Sequence, residues 1–266
     1  MQIGFIGAGR VGVTLGKHFI LNANNKYKVI GYYDFLEEAA LEAEKLTNTQ
    51  KLSIEQLVDD SDIIFITVTD GAIEKVWNQI SDYDIKGKII CHCSGALSSE
   101  IFSNIDKLGA YGYSVHPLFA CSSKENSYKD ISKALFTIEG SSKKLDVVRQ
   151  MIESLGNKVQ VIDAKNKVKY HAAAVMASNQ VIGLIKTACD LLKESGFSEE
   201  NALDAIKPLI YGNIDNVYRQ GLRDALTGPV ARGDTGTINK HLCVLDGNTK
   251  EIYSLLTEKL YELVRE

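Results

Sequence analysis

The segment Gln2-Ile3-Gly4-Phe5-Ile6-Gly7-Ala8-Gly9-Arg10-Val11-Gly12 decides the fold. An apolar run leads directly into glycines at 7, 9 and 12, the spacing G-x-G-x-x-G, and a helical pattern follows. Gly7 permits a tight strand-to-helix turn. Gly9 lets the backbone approach a diphosphate without a Cβ in the way. Gly12 lets the helix pack closely on the strand. The helix start at Arg10 and Val11 then offers free amides and a partial positive charge to the phosphates.

Working outward, a second strand is expected at residues 27–33, ending on Asp34, 22 residues after Gly12. That is where the dinucleotide fingerprint needs a carboxylate for the ribose hydroxyls. The order strand, helix, strand, acid favours a dinucleotide site over a turn that binds nothing. A carboxylate at 34 repels a 2′-phosphate, and Phe35-Leu36-Glu37-Glu38 brings no cation to hold one. NAD is therefore favoured, while the nearby Arg10 and Lys17 keep NADP open.

The bulk numbers are those of an ordinary globular protein: 266 residues, 45% hydrophobic and 24% charged, enough for two domains. A net charge of −4 and the lack of a basic stripe argue against nucleic acid. Five cysteines, at 91, 93, 121, 189 and 243, form no paired framework. With no signal segment ahead of the first strand, the expectation is reduced thiols and a cytoplasmic location. The best membrane candidate, 172–192, is interrupted by Ser178, Asn179, Gln180, Lys186 and Asp190 and reads as a buried helix instead.

Residues 1–164 alternate strand and helix patterns. Strands are expected at 2–6, 27–33, 62–68, 88–93, 110–115, 134–139 and 157–162. Helices are expected at 10–22, 35–46, 53–60, 70–81, 97–104 and 142–155, with Asp70 as an N-cap. The implied class is α/β, a Rossmann-type doubly wound, mostly parallel sheet covered on both faces. The cofactor would lie at the carboxyl ends of its strands, bringing Val68, Thr69 and Ser94 to its edge. Residues 165–266 read as helices only, at 165–195, 198–220, 234–246 and 248–264, with a kink or break near Pro208. They form an all-α second domain.

Four stretches together resemble a family: the glycine loop; His92-Cys93-Ser94-Gly95-Ala96-Leu97 with Ser114-Val115-His116-Pro117-Leu118; Tyr170-His171 through Ser178-Asn179; and Leu226-Thr227-Gly228-Pro229 through Arg232-Gly233-Asp234. The chain resembles the oxidoreductases that join a Rossmann-like domain to a C-terminal helical domain of unknown function. Their plan is similar to that of 6-phosphogluconate dehydrogenase, pyrroline-5-carboxylate reductase and the deazaflavin-dependent NADP reductases. The resemblance implies a nicotinamide cofactor, a small metabolite bound in a cleft between domains, and a homodimer built through the helical domain. Relatives carry a Ser-Arg type ending on the second strand, from which Tyr33-Asp34-Phe35 departs.

Hydride transfer needs a proton donor or acceptor beside the reacting carbon, a task suited to histidine. His116 stands before Pro117 at the carboxyl end of a strand, in a run similar to a segment of prephenate dehydrogenases. His171 lies in the first turns of the interdomain helix. On one continuous helix Ser178 would share its face, about 20° away, with Asn179 on the flank. Relatives place Lys and Asn four apart on this helix, but position 175 is Val here, and Lys167, one turn before His171, is a candidate substitute. The candidate catalytic residues are thus His171, His116, Ser94 and Asn179, with Ser178 and Arg232 toward substrate. Cys91 and Cys93 face away from His92, so no metal site is expected. Two rivals remain, a non-catalytic dinucleotide sensor and a deazaflavin-linked reductase.

Overall fold

The computed structural model describes residues 1–23 and 26–265. Its first half alternates strand and helix: β1 (Gln2–Ile6), α1 (Arg10–Asn22), β2 (Lys28–Tyr33), α2 (Glu37–Thr47), β3 (Gln50–Lys51), α3 (Ile54–Asp60), β4 (Ile63–Ile66), α4 (Asp70–Ile80), β5 (Ile89–His92), β6 (Tyr111–Pro117), β7 (Leu135–Gly140), α5 (Leu145–Glu153) and β8 (Lys158–Val161). Helices follow without a further strand among the described residues: α6 (Lys167–Met176), α7 (Asn179–Glu194), α8 (Glu199–Gln220), α9 (Leu222–Ala225), α10 (Thr235–Val244) and α11 (Gly247–Arg265). The strands form one sheet of order β3-β2-β1-β4-β5-β6-β7-β8. Pairing is parallel throughout except between β6 and β7. The doubly wound α/β class expected from the sequence is what the chain adopts.

The central strands β4 and β5 are buried at every residue because both faces are covered. Alternation then sorts their side chains into two cores. Phe5, Ile63, Phe65, Ile89 and Cys91 pack with α1 and α5 residues such as Phe19 and Met151. Ile6, Ile64, Ile66 and Ile90 pack with Leu57 of α3 and Trp77 of α4. The carboxyl ends of β1, β4, β5 and β6 are thereby held in register, and the candidate residues stand on them.

By internal contacts the chain divides into two compact units, Met1–Val175 and Met176–Glu266. Several local expectations need correction. Residues 97–104 form only a short 3-10 turn at Ser99–Ile101. Thr69, not Asp70, is the N-cap of α4. The expected helix 165–195 breaks at Ala177 and Ser178, where Ser178 has φ −126° and ψ −83°. The shared face proposed for His171 and Ser178 assumed one helix and does not survive this break. Conversely, α8 runs unbroken through Pro208. Nor is the second half of the membrane-like stretch buried: α7 has no buried residue, and Ala164–Glu194 is long and apolar enough to pass for a span by length and composition.

Candidate functional site

The glycine loop carries the geometry its spacing implies. Gly7 has φ +108°, and a Cβ there would lie 2.7 Å from the Thr67 carbonyl carbon at the end of β4. A Cβ on Gly12 would fall 2.6 Å from Thr67 Oγ1 and still closer to the Gly7 carbonyl. Thr67 Oγ1 itself donates to that carbonyl at 2.7 Å, tying the loop to β4. Gly9 is different: a Cβ there would meet nothing within 4 Å. Gly9 is also the N-cap of α1, with no side-chain cap and no acid in the first turn. The helix start is therefore positive, uncapped and open on the side of Gly9, which fits a bound diphosphate. Arg10 beside it is exposed and Val11 partly buried.

Asp34 stands at the end of β2, as expected, and does more than await a ribose. Its Oδ2 accepts the Ala8 amide at 2.7 Å and its Oδ1 the Leu36 amide at 2.9 Å. It thus clasps the glycine loop to the turn before α2, and each oxygen keeps acceptor capacity for a hydroxyl. Of the other two expected contacts at the cofactor edge, Val68 is partly buried and Thr69 exposed.

Four polar residues, His116 from β6 and Lys167, Tyr170 and His171 from α6, meet at the carboxyl ends of β5 and β6. His116 Nδ1 lies 2.7 Å from the Tyr170 hydroxyl. The His116 and His171 rings stand perpendicular with centroids 6.3 Å apart. Both press on Gly95, where a Cβ would come 2.5 Å from His171 Cδ2 and 2.9 Å from His116 Nε2. Beneath them Lys167 is buried, its Nζ 5.5 Å from the Tyr170 ring centroid. Desolvation, with the Lys167 cation next in weight, pushes His116 down to about 3, so its ring is neutral at physiological pH. Burial also pushes His92 down to about 4. His92 closes the turn after β5 structurally: Nε2 donates to the Ser98 carbonyl at 3.2 Å and Nδ1 accepts the Ser94 amide at 3.2 Å.

The two histidines singled out in sequence are thus brought together, and Tyr170 joins them. Tyr170 opens one of the four motifs, but its bond to His116 is revealed only by the meeting of β6 with α6. Ser94 lies nearby with its hydroxyl engaged. It donates to Asp70 Oδ2 at 2.8 Å and accepts the amides of Ala96 and Leu97 at 3.1 and 3.0 Å. Asp70 serves as that acceptor at the first position of α4. Ser178, Asn179 and Arg232 belong to the second unit, all exposed, and Ser178 Oγ donates to Asn179 Oδ1 at 3.0 Å. Among the described residues no group of three or more His, Cys, Asp or Glu side chains is arranged for a metal, and all five cysteines are free thiols.

Comparison with known proteins places two family models on the chain, and the second begins within the first compact unit. A Rossmann-like domain model matches residues 1–117, and the model of a domain of unknown function, DUF2520, matches residues 134–260. No curated protein matches the chain. Among solved structures, protein TM1727 of Thermotoga maritima is similar over 99% of this chain and 98% of its own, at 26% identity and a TM-score of 0.78. BF3122 of Bacteroides fragilis, described as an NADP oxidoreductase, is similar over 98% of each chain at 23% identity and a TM-score of 0.74. The pyrroline carboxylate reductase of Plasmodium falciparum, solved with NADP bound, is similar over 99% and 98% at 20% identity and a TM-score of 0.61. The two matches pair a Rossmann-like domain with a DUF2520 domain, the plan that the four motifs resemble.

Proposed function

We propose that the protein is a nicotinamide-dependent oxidoreductase acting on a small metabolite. The observation that carries this reading is the glycine loop: an uncapped helix start, open at Gly9, closed by contact at Gly7 and Gly12, with Asp34 at the end of β2. The names of the neighbouring folds, an NADP oxidoreductase and a pyrroline carboxylate reductase, support it. A bound nicotinamide supplies or accepts a hydride. The protein's own task is then to orient the substrate and move one proton. Residues 7–12 hold the diphosphate and Asp34 the adenosine ribose, which favours NAD.

His116 is neutral and its Nδ1 is held by Tyr170, which leaves Nε2 to orient a substrate oxygen or nitrogen. His171, partly exposed and perpendicular to it, is the group left to exchange the proton with that atom. Ser178, Asn179 and Arg232 remain candidates for substrate contact. Purified protein mixed with NADH or NADPH and a panel of imino acids, 2-keto acids and 3-keto acids should consume reduced nucleotide with at least one class. Nucleotide binding with no turnover across the panel would favour a sensor.

The reading includes a homodimer through the helical unit. Among its described residues only Ala202, Ala225, Val230 and Ile238 are buried apolar side chains. Ile182, Leu209, Tyr211, Tyr218, Leu222 and Leu255 are each more than 60% exposed. A helical unit with so small a core resembles an obligate interface cut in half, and a second copy of the same chain supplies the missing half. Ion pairs of Asp190 with Lys186 and Lys193 on α7 argue against a lipid face. Sedimentation should give twice the chain mass; a monodisperse monomer, or partition into vesicles, would refute this.

A further inference from the structure

Lys167 is the first residue of α6 and is 1% exposed. Its Nζ has no hydrogen-bond partner, and among the described residues no carboxylate stands within 4.0 Å of it. Asp70 of α4, His92 and Cys93 of β5 and its end, His116 of β6, Glu139 of β7 and Tyr170 of α6 surround it. The polar groups there are directed at other partners. Glu139 accepts the Ser99 amide at 2.8 Å and the Ser99 hydroxyl at 2.6 Å. Asp70 accepts the Ser94 hydroxyl, His116 Nδ1 is held by Tyr170, and both nitrogens of His92 are engaged. Tyr170 turns its ring, not its oxygen, toward the ammonium.

A buried ammonium carries three donors, and leaving them unpaired is costly. Desolvation pushes Lys167 down to about 8, so it is still a cation at neutral pH. Its neighbours are neutral imidazoles or carboxylates that serve other donors, and although Asp70 and Glu139 keep acceptor capacity, neither comes within 4.0 Å of the ammonium. As the chain is arranged, the ammonium is left for an acceptor that a ligand brings. Tyr170 and His171, next along α6, are partly exposed, so the cluster is not sealed.

We propose that Lys167 is the anion-binding residue of this site and that its ligand is the carboxylate of a small substrate seated beside Gly95, His116 and His171. This rests on the redox reading only for the identity of the molecule that brings the carboxylate. The substrate class then narrows to small carboxylic acids bearing a reducible carbonyl or imine, or the corresponding alcohol or amine.

Formate is the smallest carboxylate and formamide its uncharged counterpart. With lysine labelled at Cε, the NMR titration of Lys167 should move upward by about one pH unit in formate, a tenfold preference for the charged amine. Formamide at equal ionic strength should leave it unmoved. Formate should raise the melting temperature of the wild type and of Lys167→Arg but not of Lys167→Met. No upward movement in formate, an equal response to formamide, or an equal gain in Lys167→Met overturns the proposal. Calorimetry with NADH and NADPH on the same samples separates the two readings. A formate response without nucleotide binding removes the redox reading and leaves the anion site; nucleotide binding without a response at Lys167 does the reverse.

Discussion

Replacing Lys167 with Met should make the protein more stable. The ammonium is buried, lacks an acceptor and sits at the positive start of α6, three conditions that each disfavour charge. A fall from its ordinary 10.5 to about 8 means that the folded state holds the charge at a cost of about 3 kcal/mol. The sign follows from linkage. Below pH 8 Lys167 is charged in folded and unfolded chains alike, and the full cost is present. Between pH 8 and 10.5 the folded chain releases its proton first, and above 10.5 neither state is charged, so the cost disappears. Urea unfolding at pH 7 should therefore show Lys167→Met more stable by up to about 3 kcal/mol, with the advantage vanishing by about pH 10.5. Taking the difference between the two proteins at each pH cancels the titrations away from this cluster, and His116 and His92, which the Lys167 cation helps to hold down, change charge only in the acid range. A loss of stability at pH 7, or a gain that ignores pH, would mean that the ammonium is compensated in the free protein. A residue that weakens the fold while binding ligand is the pattern expected of a site held for function.

Gly9→Ala should fold with stability within about 1 kcal/mol of the wild type, because its Cβ enters open space, yet lose nucleotide affinity. Gly12→Ala should lose about 1–3 kcal/mol of stability, because its Cβ collides with Thr67 and the Gly7 carbonyl; equal unfolding midpoints for the two variants would contradict the geometry. Imidazole NMR should find His92 uncharged down to about pH 5, since burial holds it near 4; a midpoint near 6.5 would place it in water. As the pH falls from 6.5 through 4 the unfolded chain takes up this proton first, so the protein loses stability in that window, with His18 acting in the same direction. Asp34→Ser should move the affinity ratio toward NADP while weakening both nucleotides, because the Ala8 and Leu36 amides lose their acceptor. An unchanged ratio would remove the assignment of NAD.

Much of the first unit is legible in the sequence because its signals are local. Apolar runs of four to six residues become the doubly buried strands β4 and β5, and the three glycines mark contacts that only a missing side chain allows. What fails also has a local cause. β3 is two residues long and carries no apolar signature of its own. Residues 97–104 have helical spacing, but the Ser94 hydroxyl takes the amides of Ala96 and Leu97 and turns the chain. The break before α7 falls at Ala177-Ser178, with neither Gly nor Pro to announce it. Pro208 is the opposite case, a breaker absorbed within α8. Periodicity showed that α7 has an apolar face but not what covers it. At the site, His116 and His171 stood out by residue type and position, while the bond of Tyr170 to His116 and the orphaned state of Lys167 arise only when α6 settles over β5, β6 and β7. Tertiary structure creates those two features, and no window of sequence contains them.

The central claim, that bare amides at residues 9–12 grip a dinucleotide diphosphate, is tested most directly by calorimetric titration of NADH into the wild type and Gly9→Ala side by side. The account expects saturable one-to-one binding per chain for the wild type and a large loss for the folded Gly9→Ala. Failure of both NADH and NADPH to bind the wild type, or equal binding to the two proteins, would contradict it.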